Sequence, residues 1–107
     1  MISLRLPSSV VESAITPSSA TIQWTLTDPY NPARPETFTV VYGRNPDNLD
    51  LSSPGVTASA SSQTYSIQLH SLEPGTEYFY KIEARNRFDI IFTDDKYSFM
   101  TDDISKL

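Results

Sequence analysis

Residues 72–78 read Leu72-Glu73-Pro74-Gly75-Thr76-Glu77-Tyr78, and Phe79-Tyr80-Lys81-Ile82-Glu83-Ala84-Arg85-Asn86 follow without a break. Proline presets the backbone for a turn and glycine supplies a left-handed step, so Pro74-Gly75 reads as a tight corner. The residues after it alternate. Tyr78, Tyr80, Ile82 and Ala84 fall on one side of a strand, and Phe79, Lys81, Glu83 and Arg85 on the other. A turn that delivers a tyrosine into a strand is how a β-sandwich crosses from one sheet to the other, with the phenol OH bonded back to backbone just upstream.

Period-two patterning extends outward from this corner. Upstream, Val10 to Ile15 reads as a first strand, ended by the Pro17-Ser18-Ser19 turn. Ala20, Ile22 and Trp24 alternate with Thr21, Gln23 and Thr25, the pattern of a half-buried strand. Pro29, Pro32 and Pro35 remove backbone donors between Asp28 and Pro35, so that stretch is a stiff loop. Phe38, Val40 and Tyr42 make the next inward set, and Leu49-Asp50-Leu51 a short edge strand. Ser52 to Ser62 is small and polar and reads as loop, and Tyr65, Ile67 and Leu69 lead into the corner. Tyr97 and Phe99 mark the last strand, closed by Thr101. About seven strands at this spacing predict a Greek-key sandwich and exclude a βαβ sheet. The predicted layout is a lead at 1–6, one domain at 7–101, and a polar tail at 102–107.

A length of 107 residues allows one domain with a small core. The net charge of −5 disfavours nucleic acid and anionic membrane surfaces, both of which attract basic patches. Cysteine is absent, so there is neither a disulfide framework nor a cysteine zinc site, and the redox compartment stays open. No apolar run approaches a bilayer span, and Met1 to Pro7 does not read as a signal peptide. No Asn-x-Ser/Thr sequon occurs. The terminal Ser105-Lys106-Leu107 matches a peroxisomal address, a match too short to carry an assignment.

With these residues in place, the chain resembles a fibronectin type III domain, an immunoglobulin-like all-β sandwich, from Pro7 to Thr101. The likeness rests on Ser19-Ala20-Thr21-Ile22-Gln23-Trp24, Phe38-Thr39-Val40-Val41-Tyr42-Gly43, the Leu72–Tyr78 corner, Ile82-Glu83-Ala84-Arg85-Asn86 and Phe99-Met100-Thr101, in that order. It implies sheets A-B-E and C′-C-F-G, with Trp24 as the central plug near Tyr42, Leu72, Tyr80 and Ile82. An antibody-type domain is disfavoured, since its Cys…Trp…Cys framework is missing.

Residues that could carry chemistry are sparse. His70 is the one histidine, with no Ser/His/Asp order or carboxylate pair to serve it, and reads as a surface residue. Asp94-Asp95 and Asp102-Asp103 lack the spaced oxygen ligands of a calcium loop. Candidate recognition residues lie in Arg87-Phe88-Asp89-Ile90-Ile91-Phe92, a connection unusually rich in bulky apolar side chains. Two readings compete there. Either Ile90 and Phe92 continue the alternation and tuck over the core, or some of Phe88, Ile90, Ile91 and Phe92 form an exposed partner site.

Arg87-Phe88-Asp89 stands where some domains of this type carry Arg-Gly-Asp, but phenylalanine replaces the glycine that such a ligand needs. Leu49-Asp50-Leu51 is an equally weak integrin-like match. Val41 and Phe79 are expected to form an outward cross-strand pair, joined by Thr39, Lys81 and Tyr97. Tyr30 is either a partner anchor or packs on its own loop prolines.

The expectation is a non-catalytic spacer or adhesion module of an extracellular or cell-surface protein. It would use no cofactor or small-molecule substrate, and would contact protein partners or neighbouring domains. Two alternatives stand beside it: an accessory sandwich of a secreted hydrolase such as a purple acid type metallophosphatase, and an intracellular sarcomeric or scaffold module in the cytoplasm. Trp24→Ala is expected to remove ~3–5 kcal/mol, much of the roughly 5–15 kcal/mol available to a domain of this size. Tyr78→Phe should remove only about 0.5–1.5 kcal/mol. Urea denaturation checks both, and a Trp24→Ala midpoint close to that of the parent would remove Trp24 from the centre of the core.

Overall fold

The computed structural model describes residues 8–26, 36–57, 64–87, 90–93 and 96–104. Among them the chain forms β1 (Ser8–Ser13), β2 (Ala20–Thr25), β3 (Thr37–Gly43), β4 (Leu51–Ser52), β5 (Val56–Thr57), β6 (Thr64–Leu69), β7 (Glu77–Arg85), β8 (Ile90–Phe92) and β9 (Tyr97–Met100). One sheet runs β1-β2-β6. The other runs β4-β3-β7-β8, with β5 also on β3 and β9 also on β7. Every described pairing is antiparallel. This is the predicted all-β sandwich of the fibronectin type III and immunoglobulin-like kind. The expected C′ and G strands are each present as two pieces: β4 with β5, and β8 with β9.

The corner forms as the sequence predicts. The Glu73 N–H donates to the Tyr78 hydroxyl at 2.8 Å, and Ser71 and Gly75 both take left-handed backbone, φ 59° and 58°. Thr101 locks the corner from the last strand. Its Oγ1 donates to the Glu73 carbonyl at 2.6 Å and accepts from the Thr76 N–H at 2.9 Å. The chain thereby passes from β6 in one sheet to β7 in the other.

Burial on the sheets follows the alternation. Ala20, Ile22 and Trp24, then Phe38 and Val40, and Tyr78, Tyr80, Ile82 and Ala84 are all buried. The aromatic core differs from expectation in one respect. The rings facing Trp24 are Phe38, edge-on at 5.3 Å, and Tyr65, stacked at 6.4 Å. Tyr42 lies further along β3, about 13 Å from Phe38 at the usual strand rise. There its ring meets Tyr78 at 6.3 Å, within a second group of Tyr78, Phe99, Tyr80 and Tyr97. The Trp24 Nε1 has no acceptor among the described residues, and the ring packs against Phe38 and Tyr65.

The first strand begins at Ser8, earlier than the Val10 start the sequence suggests, and ends at Ser13 because Ala14 turns left-handed at φ 48°. Glu12 sits opposite Ile22, on the core-facing side, and its carboxylate accepts the Tyr80 hydroxyl proton at 2.6 Å across the sandwich. Burial first, then this carboxylate, pushes the Tyr80 pKa well above the ordinary tyrosine range.

Two hydroxyls close gaps in the large sheet. Val40 and Ile82 are partners across β3 and β7. On the outer side of β3 the chain leaves Ser52 opposite Val41 and resumes with Val56 opposite Phe38, one residue out of step. At that step the Ser53 N–H donates to the Val40 carbonyl (2.9 Å), and the Ser53 Oγ accepts from the Val40 N–H (3.0 Å). On the outer side of β7, register shifts by two residues between Glu83↔Phe92 and Tyr80↔Tyr97. Here the Thr93 N–H donates to the Ile82 carbonyl (3.0 Å), and Thr93 Oγ1 accepts from the Ile82 N–H (3.2 Å). Leaving a buried donor unpaired costs about 1–3 kcal/mol. Ser53→Ala and Thr93→Val are each expected to lose that much in urea denaturation, with amide exchange accelerated at Val40 and Ile82 respectively. Unchanged exchange at those two amides would show that other acceptors replace the hydroxyls.

Candidate interaction surface

The outward side of the six-stranded sheet collects the odd-numbered positions of β3 and β7. Thr37, Thr39 and Val41 stand on β3, opposite Arg85, Glu83 and Lys81. Phe79 lies opposite Gly43 and Val41 opposite Lys81, so Val41 and Phe79 are diagonal neighbours across β3 and β7. Such a diagonal spans roughly 7–8 Å, still within reach of an aromatic ring. Val41 and Phe79 are both half-buried. Tyr97, expected in this patch, instead faces inward and stacks on Tyr80 at 5.5 Å.

The apolar connection after β7 resolves into a strand, with the opposite facing to the expected packing. Ile91 lies opposite buried Ala84 and packs against the core. Ile90 and Phe92, which the alternation argument turned inward, point outward and are 46% and 43% exposed. The reason is parity. Phe99 and Tyr97 face inward, and a register shift of two residues leaves odd positions inward, so Ile91 and Thr93 continue that side.

Ile90 and Phe92 sit beside Arg85 and Glu83, whose side chains pair at 3.2 Å. Arg87 is exposed and pairs with Glu36 at 3.5 Å. The result is a strip in which the exposed apolar side chains of Ile90 and Phe92 lie beside ion pairs. Phe88, Asp89, Tyr30, Asp94, Asp95, the Asp28–Pro35 loop, the 1–6 lead and Ser105-Lys106-Leu107 lie outside the described residues.

Among the described residues, no group of three or more His, Cys, Asp or Glu side chains is placed to hold a metal. His70 is exposed just beyond β6. No helix of the described residues is long and apolar enough to cross a membrane. Sequence reasoning passed over Ser53 and Thr93, because a buried hydroxyl that closes a ladder looks like any other small polar residue until register is known.

The facing of β8 has a direct consequence. Ile91→Ser should cost about 1–2 kcal/mol through lost apolar burial. Ile90→Ser and Phe92→Ser should stay within about 0.5 kcal/mol of the parent, as exposed positions do. Equal urea midpoints for all three variants would reverse the assignment of faces.

Comparison with known proteins places the fold in context. The family model for the N-terminal domain of purple acid phosphatase matches residues 7–101. No curated protein sequence matches. Among solved structures, a computationally redesigned β-sandwich protein superposes with a TM-score of 0.66 at 26% identity, covering 97% of this chain and 99% of that one. The chicken contactin 1 FN1–FN3 structure gives 0.67 at 19% identity over 95% of this chain, which spans only 31% of that longer one. The sensor domain of the anti-sigma factor RsgI4 from Pseudobacteroides cellulosolvens gives 0.68 at 18% identity, over 97% and 100% of the two chains. These likenesses fix a fibronectin type III-like fold, and by the family match the chain belongs to the purple acid phosphatase N-terminal domains.

Proposed function

We propose that this chain is a non-catalytic sandwich that supports a neighbouring hydrolase domain of the metallophosphatase kind through protein contact. The observation that carries the reading is the family match over residues 7–101. The outer face of the six-stranded sheet supplies a suitable surface, with Ile90 and Phe92 exposed beside the Glu83–Arg85 pair. The chain's part is mechanical: β3 and β7 form a stiff, bonded centre, and strips of side chains on that platform meet the neighbour. Secretion or display at the cell surface belongs to the same reading.

A second reading, a spacer or adhesion module of a larger extracellular protein, is favoured by the likeness to contactin 1 fibronectin domains. The two differ in what the native polypeptide carries beside these residues. The purified chain, supplied with iron, zinc or manganese, is expected to hydrolyse 4-nitrophenyl phosphate no faster than metal in buffer. The native polypeptide containing it, isolated with an antibody against this chain, is expected to hydrolyse the same ester and to lose that activity on chelation. A native polypeptide without chelator-sensitive activity would overturn the first reading in favour of the second. Turnover by the 107-residue chain itself would overturn both.

A further inference from the structure

The first strand, β1, draws little from the core. Val10 packs half-buried against it, while Ser9, Val11, Glu12 and Ser13 are exposed. Its neighbour β2, by contrast, buries Ala20, Ile22 and Trp24 completely. β1 is also strained at both ends. Ser9 and Ala14 take left-handed backbone, φ 51° and 48°, a conformation that costs free energy in any residue with a Cβ. Register with β2 shifts between Ser8 and Val11.

A contact to the opposite sheet offsets this. The Tyr80 hydroxyl donates to Glu12 Oε2 at 2.6 Å. A hydrogen bond to a carboxylate is stronger than one between neutral groups. The Tyr80 side chain is fully buried on β7 and stacks on Tyr97 at 5.5 Å, which fixes the donor in place. Beyond β1 the chain is anchored separately. Ile15 packs against the core, the Thr16 N–H donates to the Ser19 carbonyl at 2.9 Å, and the Thr16 carbonyl accepts from the Asp102 N–H at 3.2 Å. Ala14 therefore lies between a weakly held strand and a firmly tied turn.

We propose that β1 is a strap that opens about Ala14 while the rest of the sandwich stays folded, and that the Tyr80–Glu12 hydrogen bond is its latch. Opening lets Ser9 and Ala14 leave the left-handed region, so released strain offsets part of the lost ladder. It uncovers the β2 edge from Thr21 to Gln23, which β1 pairs when shut. The two forms are the whole sandwich and a minor state short of one strand. The strap is a property of this fold alone and does not rest on the phosphatase reading.

Amide exchange of the whole chain, in urea below its unfolding midpoint, tests the strap. In the unaltered chain the protected amides of β1 are expected to exchange at least about tenfold faster than Val40. Their rate should rise little with urea, because opening one strand exposes little surface. Ser53→Ala weakens the large sheet, whose bonds persist when the strap opens, so it should speed exchange at Val40 and leave β1 unchanged. Glu12→Ala and Tyr80→Phe should each speed β1 exchange about tenfold, and the double variant no more than either, because all three remove one bond. β1 amides as steeply urea-dependent as Val40, or sped as much as Val40 by Ser53→Ala, would show that β1 leaves only with the whole fold and overturn the strap. Additive losses from Glu12→Ala and Tyr80→Phe would overturn the latch. The urea dependence is read on the unaltered chain, so it decides the strap even where a variant fails to fold.

Discussion

The large sheet depends on keeping the backbone of Val40 and Ile82 hydrogen-bonded while both flanking strands break register beside them. Both residues are buried, and each directs its N–H and C=O away from the other toward an outer neighbour. Water does not reach such groups, so an irregular outer strand would leave them unpaired at a cost of about 1–3 kcal/mol each. Ser53 on one side and Thr93 on the other bridge the gaps with a backbone donor and a hydroxyl acceptor. The irregularities thus stay on the outer strands, and the β3–β7 pairing remains unbroken from Thr37 to Gly43.

Thr101 belongs to the same pattern. Ser53, Thr93 and Thr101 are the buried polar residues among those described, and each closes a place where the strand ladder ends or steps. A hydroxyl suits the task because it accepts one backbone N–H and keeps a donor for a carbonyl. Ser53 uses that donor on Pro54 and Thr101 on Glu73. The register breaks that these residues make tolerable also spoil two outer edges for further pairing, while β1 is spoiled by other means.

Legibility in the sequence follows directly from where register is regular. The sheets that pair without interruption, β2 with β6 and β3 with β7, were readable because alternation there is undisturbed. β5 was not, since the single extra residue at Ser53-Pro54-Gly55 flips parity, setting both Leu51 and Val56 against inward-facing partners. β8 was misread for a different reason. Its apolar residues occupy both faces, so alternation is compatible with turning Ile90 and Phe92 inward, and only the pairing of Ile91 with Ala84 decides otherwise.

The sequence by itself determined the corner from Leu72 to Tyr78, the inward sets on the central strands, and Trp24 as a core residue. These depend on local backbone preference and period-two burial, which a linear chain carries with it. Tertiary structure alone decided which rings meet Trp24, how Val41 stands to Phe79, which way Ile90, Ile91 and Phe92 face, and why Ser53 and Thr93 are buried. Those features depend on register between strands distant in sequence, and register is set jointly by the strands that pair, so neither strand encodes it alone.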